Sequence, residues 1–169
     1  MRVITLFLVF IAITTGASAQ LYVAFNPSVT NSAGTLAEKA NLSLEFGMQY
    51  DVFSAGFDIG KTSLGKKDGL DTTNYIEFRP NLNIFQQGKF TNTFTAGIGV
   101  IFNAEENLMT ELSSTIEYAY SPLIHYNIIF GQYYYSGRVT ASNVTFFGVS
   151  VMKYFKPFKH KAKETTDKP

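Results

Sequence analysis

From residue 20 onward the chain repeats one pattern: stretches of about ten residues, apolar at every second position, separated by connections that alternate between long and very short. The segment from 90 to 102 shows it best, with Phe90, Phe94, Ala96, Ile98, Val100 and Phe102 on one face and Thr91, Thr93, Thr95, Gly97 and Gly99 on the other. A period of two marks a β-strand, whose successive side chains leave opposite faces. The same alternation sets Leu42, Leu44, Phe46, Met48 and Tyr50 against Asn41, Ser43, Glu45, Gly47 and Gln49, and Phe53, Ala55, Phe57 and Ile59 against Ser54, Gly56, Asp58 and Gly60. Further on, Ile76, Phe78, Pro80, Leu82 and Ile84 alternate with Glu77, Arg79, Asn81 and Asn83, and Phe147, Val149, Val151 and Phe155 with Gly148, Ser150 and Met152. Eight strands are predicted, over 20 to 27, 40 to 50, 52 to 60, 73 to 85, 90 to 103, 111 to 120, 123 to 134 and 144 to 155, the first, sixth and seventh with the weakest alternation.

An apolar face opposite a face of small and polar groups, at about 9–11 residues per strand, is what a membrane-spanning β-barrel needs. The connections after the second, fourth and sixth strands are tight, around Asp51, at Gln86-Gln87-Gly88-Lys89 and at Ser121-Pro122. Those after the first, third, fifth and seventh are long and polar, as in Ser28 to Lys39 and Lys61 to Thr72. Short turns at one end, longer loops at the other and an even strand number predict an all-β, eight-stranded, antiparallel up-and-down transmembrane β-barrel with both termini on the short-turn side. Tyr22, Tyr50, Phe53, Ile84, Phe90, Tyr120, Tyr126 and Phe155 fall at the short-turn ends and are expected to form an interfacial girdle there. Pro80 removes a ladder donor in mid-strand, so a local bulge is expected at that point.

Residues 1–19 pair an early positive charge, Arg2, with an apolar run from Val3 to Ile13 and the small-residue close Ala17-Ser18-Ala19. This is the pattern of a secretory signal peptide cleaved after Ala19, and a run of about eleven apolar residues is too short to span a bilayer. The barrel is then 20–155, followed by a basic tail, 156–169, expected to be disordered and periplasmic. Cysteine is absent, which excludes disulfides, thiol catalysis, thiolate metal sites and a lipoprotein anchor. The two histidines, His125 and His160, leave any metal site to carboxylates, and no cofactor is expected. Charged residues make up 16% of the chain against about a quarter in soluble proteins, with a net charge of +1 and 16 Phe and 10 Tyr but no Trp.

From the signal segment through Phe155 the chain resembles the small eight-stranded outer-membrane β-barrel proteins of Gram-negative bacteria. The closing strand Gly148-Val149-Ser150-Val151-Met152-Lys153-Tyr154-Phe155 is similar to the aromatic-ended strand that the barrel-assembly machinery reads in those proteins. Lys153 departs from it by standing at an outward position, where it is expected to snorkel, and the chain continues past Phe155. The resemblance implies an outer-membrane location, with lipid and the assembly machinery as partners, in a group that includes structural barrels, adhesion or resistance factors and a few lipid-modifying enzymes; for this chain a structural or surface-interaction role without enzymatic activity is expected. Nucleic acid is not an expected partner in that compartment, and no loop partner is identified.

Two alternatives carry a different chemistry. A lipid-modifying enzyme, or a narrow transport barrel, would share the architecture; the enzyme needs His, Ser and an acid near the outer strand ends, whereas His125 follows the Ser121-Pro122 turn. A secreted lipocalin-like carrier would turn the apolar face inward, and the chain lacks the tryptophan expected of that group. Gly56-Phe57-Asp58-Ile59-Gly60-Lys61-Thr62 is one residue short of a phosphate-binding loop and has no following helix to aim amides at a phosphate. The acidic tip Ala104-Glu105-Glu106-Asn107 and the Lys66-Lys67-Asp68 segment are expected to be solvated loops.

By alternation Glu45, Asp58, Glu77, Arg79 and Glu117 point into the lumen, where isolated charges must be paired. Arg79 is expected to be the hub of that network, with Asp58 on the neighbouring strand as its bridge and Glu77 within reach of the same partners. The assignment of faces has a direct test: Ile98→Arg is expected to cost about 2–4 kcal/mol near the bilayer midplane, and Thr95→Ser on the other face very little. Denaturant-dependent refolding into lipid vesicles measures both, and equal costs would reverse the assignment.

Overall fold

The computed structural model describes residues 19–32, 35–36, 40–66, 69–102, 107–136 and 143–155. The predicted signal segment up to residue 18, the predicted tail 156–169, and residues 67–68 and 103–106 of the expected loops lie outside the described residues. The strands are β1 (Gln20–Ser32), β2 (Thr35–Leu36), β3 (Asn41–Tyr50), β4 (Phe53–Lys66), β5 (Gly69–Gln87), β6 (Phe90–Phe102), β7 (Asn107–Ala119), β8 (Ile124–Ser136) and β9 (Val144–Tyr154). Apart from the two-residue β2, which extends the loop end of β1 through Asn31↔Leu36, each strand pairs antiparallel with the next. The last strand returns to the first, from Tyr22↔Tyr154 to Asn31↔Thr145, so the eight long strands close into an up-and-down barrel.

The turn end is held tightly. Asp51 and Gly88 adopt positive φ, 53° and 60°, in the two short turns, a conformation that glycine and, among other residues, Asp and Asn reach most easily. In the third turn the Ser121 hydroxyl accepts the backbone N–H groups of Leu123 and Ile124 at 3.3 and 3.1 Å. Backbone bonds from Asn83 to Val52, Ala119 to Lys89, Tyr154 to Leu123 and Phe155 to Leu21, of 2.7–2.8 Å, lace the turns to neighbouring strands.

At the loop end the strands run further than the alternation predicts. The segment from Lys61 to Thr72 is a continuing hairpin, paired from Lys61↔Asn74 to Lys66↔Gly69, and β1 runs on to Ser32 where a loop is expected from Ser28. Ladder hydrogen bonds do not require an apolar face, and the β-branched Thr62, Thr72 and Thr73 suit an extended backbone, so pairing continues after the hydrophobic pattern ends. Pro80 is in register with Ala55, and the bulge lies four residues on, at Ile84, where the pairing steps from Asn83↔Thr93 to Phe85↔Asn92. What Pro80 produces is a gap: the β5–β6 ladder skips from Phe78↔Ile98 to Asn81↔Thr95. Pro27 does the same on the opposite wall, where the β1–β9 ladder skips from Phe25↔Val151 to Ser28↔Gly148.

Burial is inverted relative to a soluble domain. Outward positions such as Leu44, Phe46, Phe57, Ile98, Phe130 and Val149 are exposed, while Ser43, Glu45, Asp58, Thr95 and Ser150 are buried; Ile98 is 51% exposed and Thr95 1%. Tyr50, Phe53, Ile84, Phe90, Tyr120, Tyr126 and Phe155 face outward at the turn end as the girdle expectation requires. Tyr22 does not: it shares the inward face of β1 with Ala24 and Asn26 and is buried. Lys153 is outward and its ammonium lies 5.9 Å from the Phe155 ring centre. Toward the loop end the lumen is filled by Tyr75, Ile101, Met109, Ile129, Tyr133 and Phe146, with Tyr133 and Phe146 stacked at 4.3 Å.

The interior is tight enough for glycine to be required by volume. A methyl group on Gly47 would lie 2.4 Å from the Tyr22 ring and 2.7 Å from the Ala55 carbonyl oxygen. Gly47→Ala is therefore expected to destabilise the barrel by about 1–3 kcal/mol. Gly88→Asn, at a turn with nothing within 4 Å of the added carbon and a backbone that Asn tolerates, is expected to stay within about 0.5 kcal/mol. Equilibrium unfolding in lipid vesicles checks the pair.

Candidate functional site

Below the apolar cluster, toward the turns, the lumen carries a layer of buried charge. Arg79 enters it from β5, where the following proline restricts its backbone to an extended conformation. Its Nη1 donates to Glu45 Oε2 at 2.6 Å and its Nη2 to Glu111 Oε1 at 2.9 Å, so one guanidinium ties β3 to β7 across the lumen. Tyr22 donates to the other oxygen of Glu45 at 2.6 Å, and Ser113 donates to Glu111 Oε1. All of these groups are buried, and in such a space a charged pair is stable only when its remaining hydrogen-bonding sites are occupied.

Glycines make the layer possible. A side chain on Gly56 would strike Glu45 Oε1 and the Tyr22 hydroxyl, and one on Gly97 would strike the Glu77 carboxylate. The face of small and polar groups is thus, at these positions, a cradle for three acidic and phenolic side chains.

The expected lumen residues divide into four groups. Arg79 is the hub, with Glu45 as one partner. Asp58 is not its bridge: it takes the Tyr75 hydroxyl at 2.5 Å and the Asn26 amide at 3.5 Å, being satisfied by neutral donors nearer the loop end. Glu77 is buried on the same strand as Arg79, yet neither of its oxygens has a hydrogen-bond partner. Glu117 stands apart near the turns, where its Oε1 lies 2.9 Å from His125 Nδ1. The His125 ring packs on Tyr154 at 4.6 Å, and the Tyr154 hydroxyl donates to Gln49 at 2.6 Å. The role expected of Asp58 belongs to Glu111, which shares its face with Ser113 and Glu117 in the sequence alternation but stands at the margin of its predicted strand.

Between the charge layer and the turns lies a cavity of about 40 Å³, lined by polar groups that include Arg79, Asn81, Thr95, Asn127 and Ser150. At roughly 10–15 Å³ per water it has room for only a few solvent molecules, against the Asn127 and Ser150 oxygens and the Arg79 Nε that lack protein partners. Among the described residues no group of three or more His, Asp or Glu side chains is placed to hold a metal ion.

No family model matches the chain, and no curated protein sequence does. Solved structures do. Neisserial surface protein A aligns with 83% of this chain and 97% of its own at a TM-score of 0.54 and 11% identity. The N-terminal β-barrel domain of Pseudomonas aeruginosa OprF aligns over 79% and 98% at 0.53 and 11%. The de novo designed protein TMB2.3 aligns over 82% and 97%, again at 0.53 and 11%. The chain is similar to these proteins in fold.

Removing the guanidinium leaves Glu45 and Glu111 buried without their charged partner. Arg79→Ala is expected to destabilise the barrel by about 3–5 kcal/mol. Arg79→Lys, which offers one compact ammonium where a planar fork spans two carboxylates, is expected to fall between Ala and the native residue. Urea titration of the vesicle-inserted protein orders the three; a lysine variant as unstable as the alanine one would show that charge without fork geometry contributes nothing.

Proposed function

We propose that this chain is an integral outer-membrane β-barrel with a packed interior, acting as a structural or surface-interaction protein whose loop end faces outward. The observation that carries the reading is the inverted burial: a continuous outward surface of Leu, Ile, Val and Phe around an interior of paired charges, amides and hydroxyls. A surface of that kind is stable in hydrocarbon, and closure of β1 on β9 leaves no ladder edge to be solvated. The likeness to a neisserial surface protein supports the same placement.

A soluble ligand carrier would need the reverse arrangement, an apolar cavity under a solvated wall. The cavity here is small, polar and crossed above by the Arg79 ion pairs. The packed-lumen reading rests on these pairs, on the stacked Tyr133 and Phe146 nearer the loops, and on the narrow interior that eight strands allow. The non-enzymatic reading rests on His125, which meets Glu117 and Tyr154 at the turn end, remote from the loop-end lipid headgroups that a lipid-modifying site must reach.

After cell fractionation the protein is expected in the outer membrane, with different gel mobility before and after boiling. In planar bilayers it is expected to show no steady conductance. Recovery in a soluble fraction would overturn the membrane reading, and a stable open conductance would replace the packed lumen with passive transport.

A further inference from the structure

Besides the Arg79 Nε, which faces the polar cavity, the charge layer contains a cluster of carboxylate oxygens that its protein donors do not satisfy. Glu45 receives Arg79 and Tyr22, Asp58 receives Tyr75 and Asn26, and Glu111 receives Arg79 and Ser113 on one oxygen. Three carboxylate oxygens remain without a partner, both of Glu77 and Oε2 of Glu111. They belong to side chains that are each 1% exposed and pack together over Gly97, where an added carbon would sit 2.0 Å from Glu77 Oε1 and 3.1 Å from Glu111 Cβ. The titratable groups around Glu77 are Tyr75 and Arg79 on its own strand, Asp58 on β4, Glu111 on β7, and Tyr133 and Tyr135 on β8. Arg79 is the one cation among them, and its two Nη groups are already engaged with Glu45 and Glu111.

Two carboxylates in contact in a water-poor space cannot both remain charged without a cation or a proton between them. We propose that Glu77 and Glu111 form a proton-binding pair: the proton resides on Glu77, which lacks any donor, and is donated to Glu111 Oε2. Glu111 then accepts from Arg79, Ser113 and Glu77, and every remaining carboxylate has at least two donors. The barrel therefore takes up one proton as it folds, and that proton supplies the donor that Glu111 Oε2 lacks beside the guanidinium. The inference rests on the packed interior proposed above.

Infrared difference spectroscopy of the folded barrel in detergent at neutral pH tests it, because solvated carboxyls are ionised there and only a sequestered acid retains a protonated-carboxyl C=O stretch. The native protein is expected to show one such band, and Glu77→Gln, which keeps shape and a donor toward Glu111, is expected to lose it. Should that variant fail to fold, isotope labelling of the native protein decides: the band must shift with carboxyl-labelled glutamate and stay in place with labelled aspartate. No band, a band that survives in Glu77→Gln, or a shift with labelled aspartate would each overturn the shared proton. An absent band together with stabilisation by a specific monovalent cation at constant ionic strength would replace the proton with a bound ion. An open conductance in planar bilayers marks failure of the packed interior itself, so the two failures are distinguishable.

Discussion

Every backbone amide that enters hydrocarbon must find its partner within the protein, and here the ladder joining β1 to β9 makes that possible. Closure on eight strands fixes the bore, and the bore dictates the rest. Inward positions have room for their own side chains and little else. Three of the large inward groups are matched by a vacancy on a neighbouring strand: Tyr22 lies over Gly47, Glu45 over Gly56 and Glu77 over Gly97. The glycines weaken no helix and cap no turn. They set the volume into which a guanidinium layer fits.

Inside that volume the division of labour follows polarity. Nearer the loops, aromatic and aliphatic contacts exclude water around Tyr133 and Phe146, which lowers the local dielectric and strengthens every ion pair beneath. The same exclusion raises the cost of any group left unmatched, so the packing of the apolar cluster and the satisfaction of the charge layer depend on each other. Arg79 suits this position because its planar fork reaches two carboxylates on different strands, Glu45 on β3 and Glu111 on β7, with fixed geometry.

The architecture was legible in the sequence wherever the inward face is polar, as in β3, β4 and β6. It was faint in β7 because the polar Ser114 shares the outward face with Leu112 and Ile116, and in β8 because Ile129 and Tyr133 turn inward to build the apolar cluster, so both faces of that strand carry apolar residues. Membership of the lumen could be read from parity alone, which is why Arg79 and Glu45 were found. Choice of partner could not, since a contact across the bore depends on how far each strand is sheared against the next. Asp58 is on the strand adjacent to Arg79, yet Glu111, two strands away on β7, meets the guanidinium. Tyr22 was misplaced for a related reason: an aromatic at a strand end suits either interface or lumen, and the deciding vacancy at Gly47 lies on another strand. Strand lengths ran past the hydrophobic pattern because hydrogen bonding outlasts the need to face lipid.

The two proline gaps divide the wall in a way that the ladder as a whole conceals. One interrupts β1 against β9 and the other β5 against β6, on opposite sides of the ring, leaving β1, β3, β4 and β5 as one four-stranded stave and β6 to β9 as the other. Both seams lack rungs in mid-strand, beside Pro27 and Pro80. Arg79 is rooted on one side, beside its seam, and grips Glu111 on the other. Mechanically it is a crosstie: where the ladder beside it lacks rungs, a charge at the axis joins the two half-cylinders, and the turns clamp one rim.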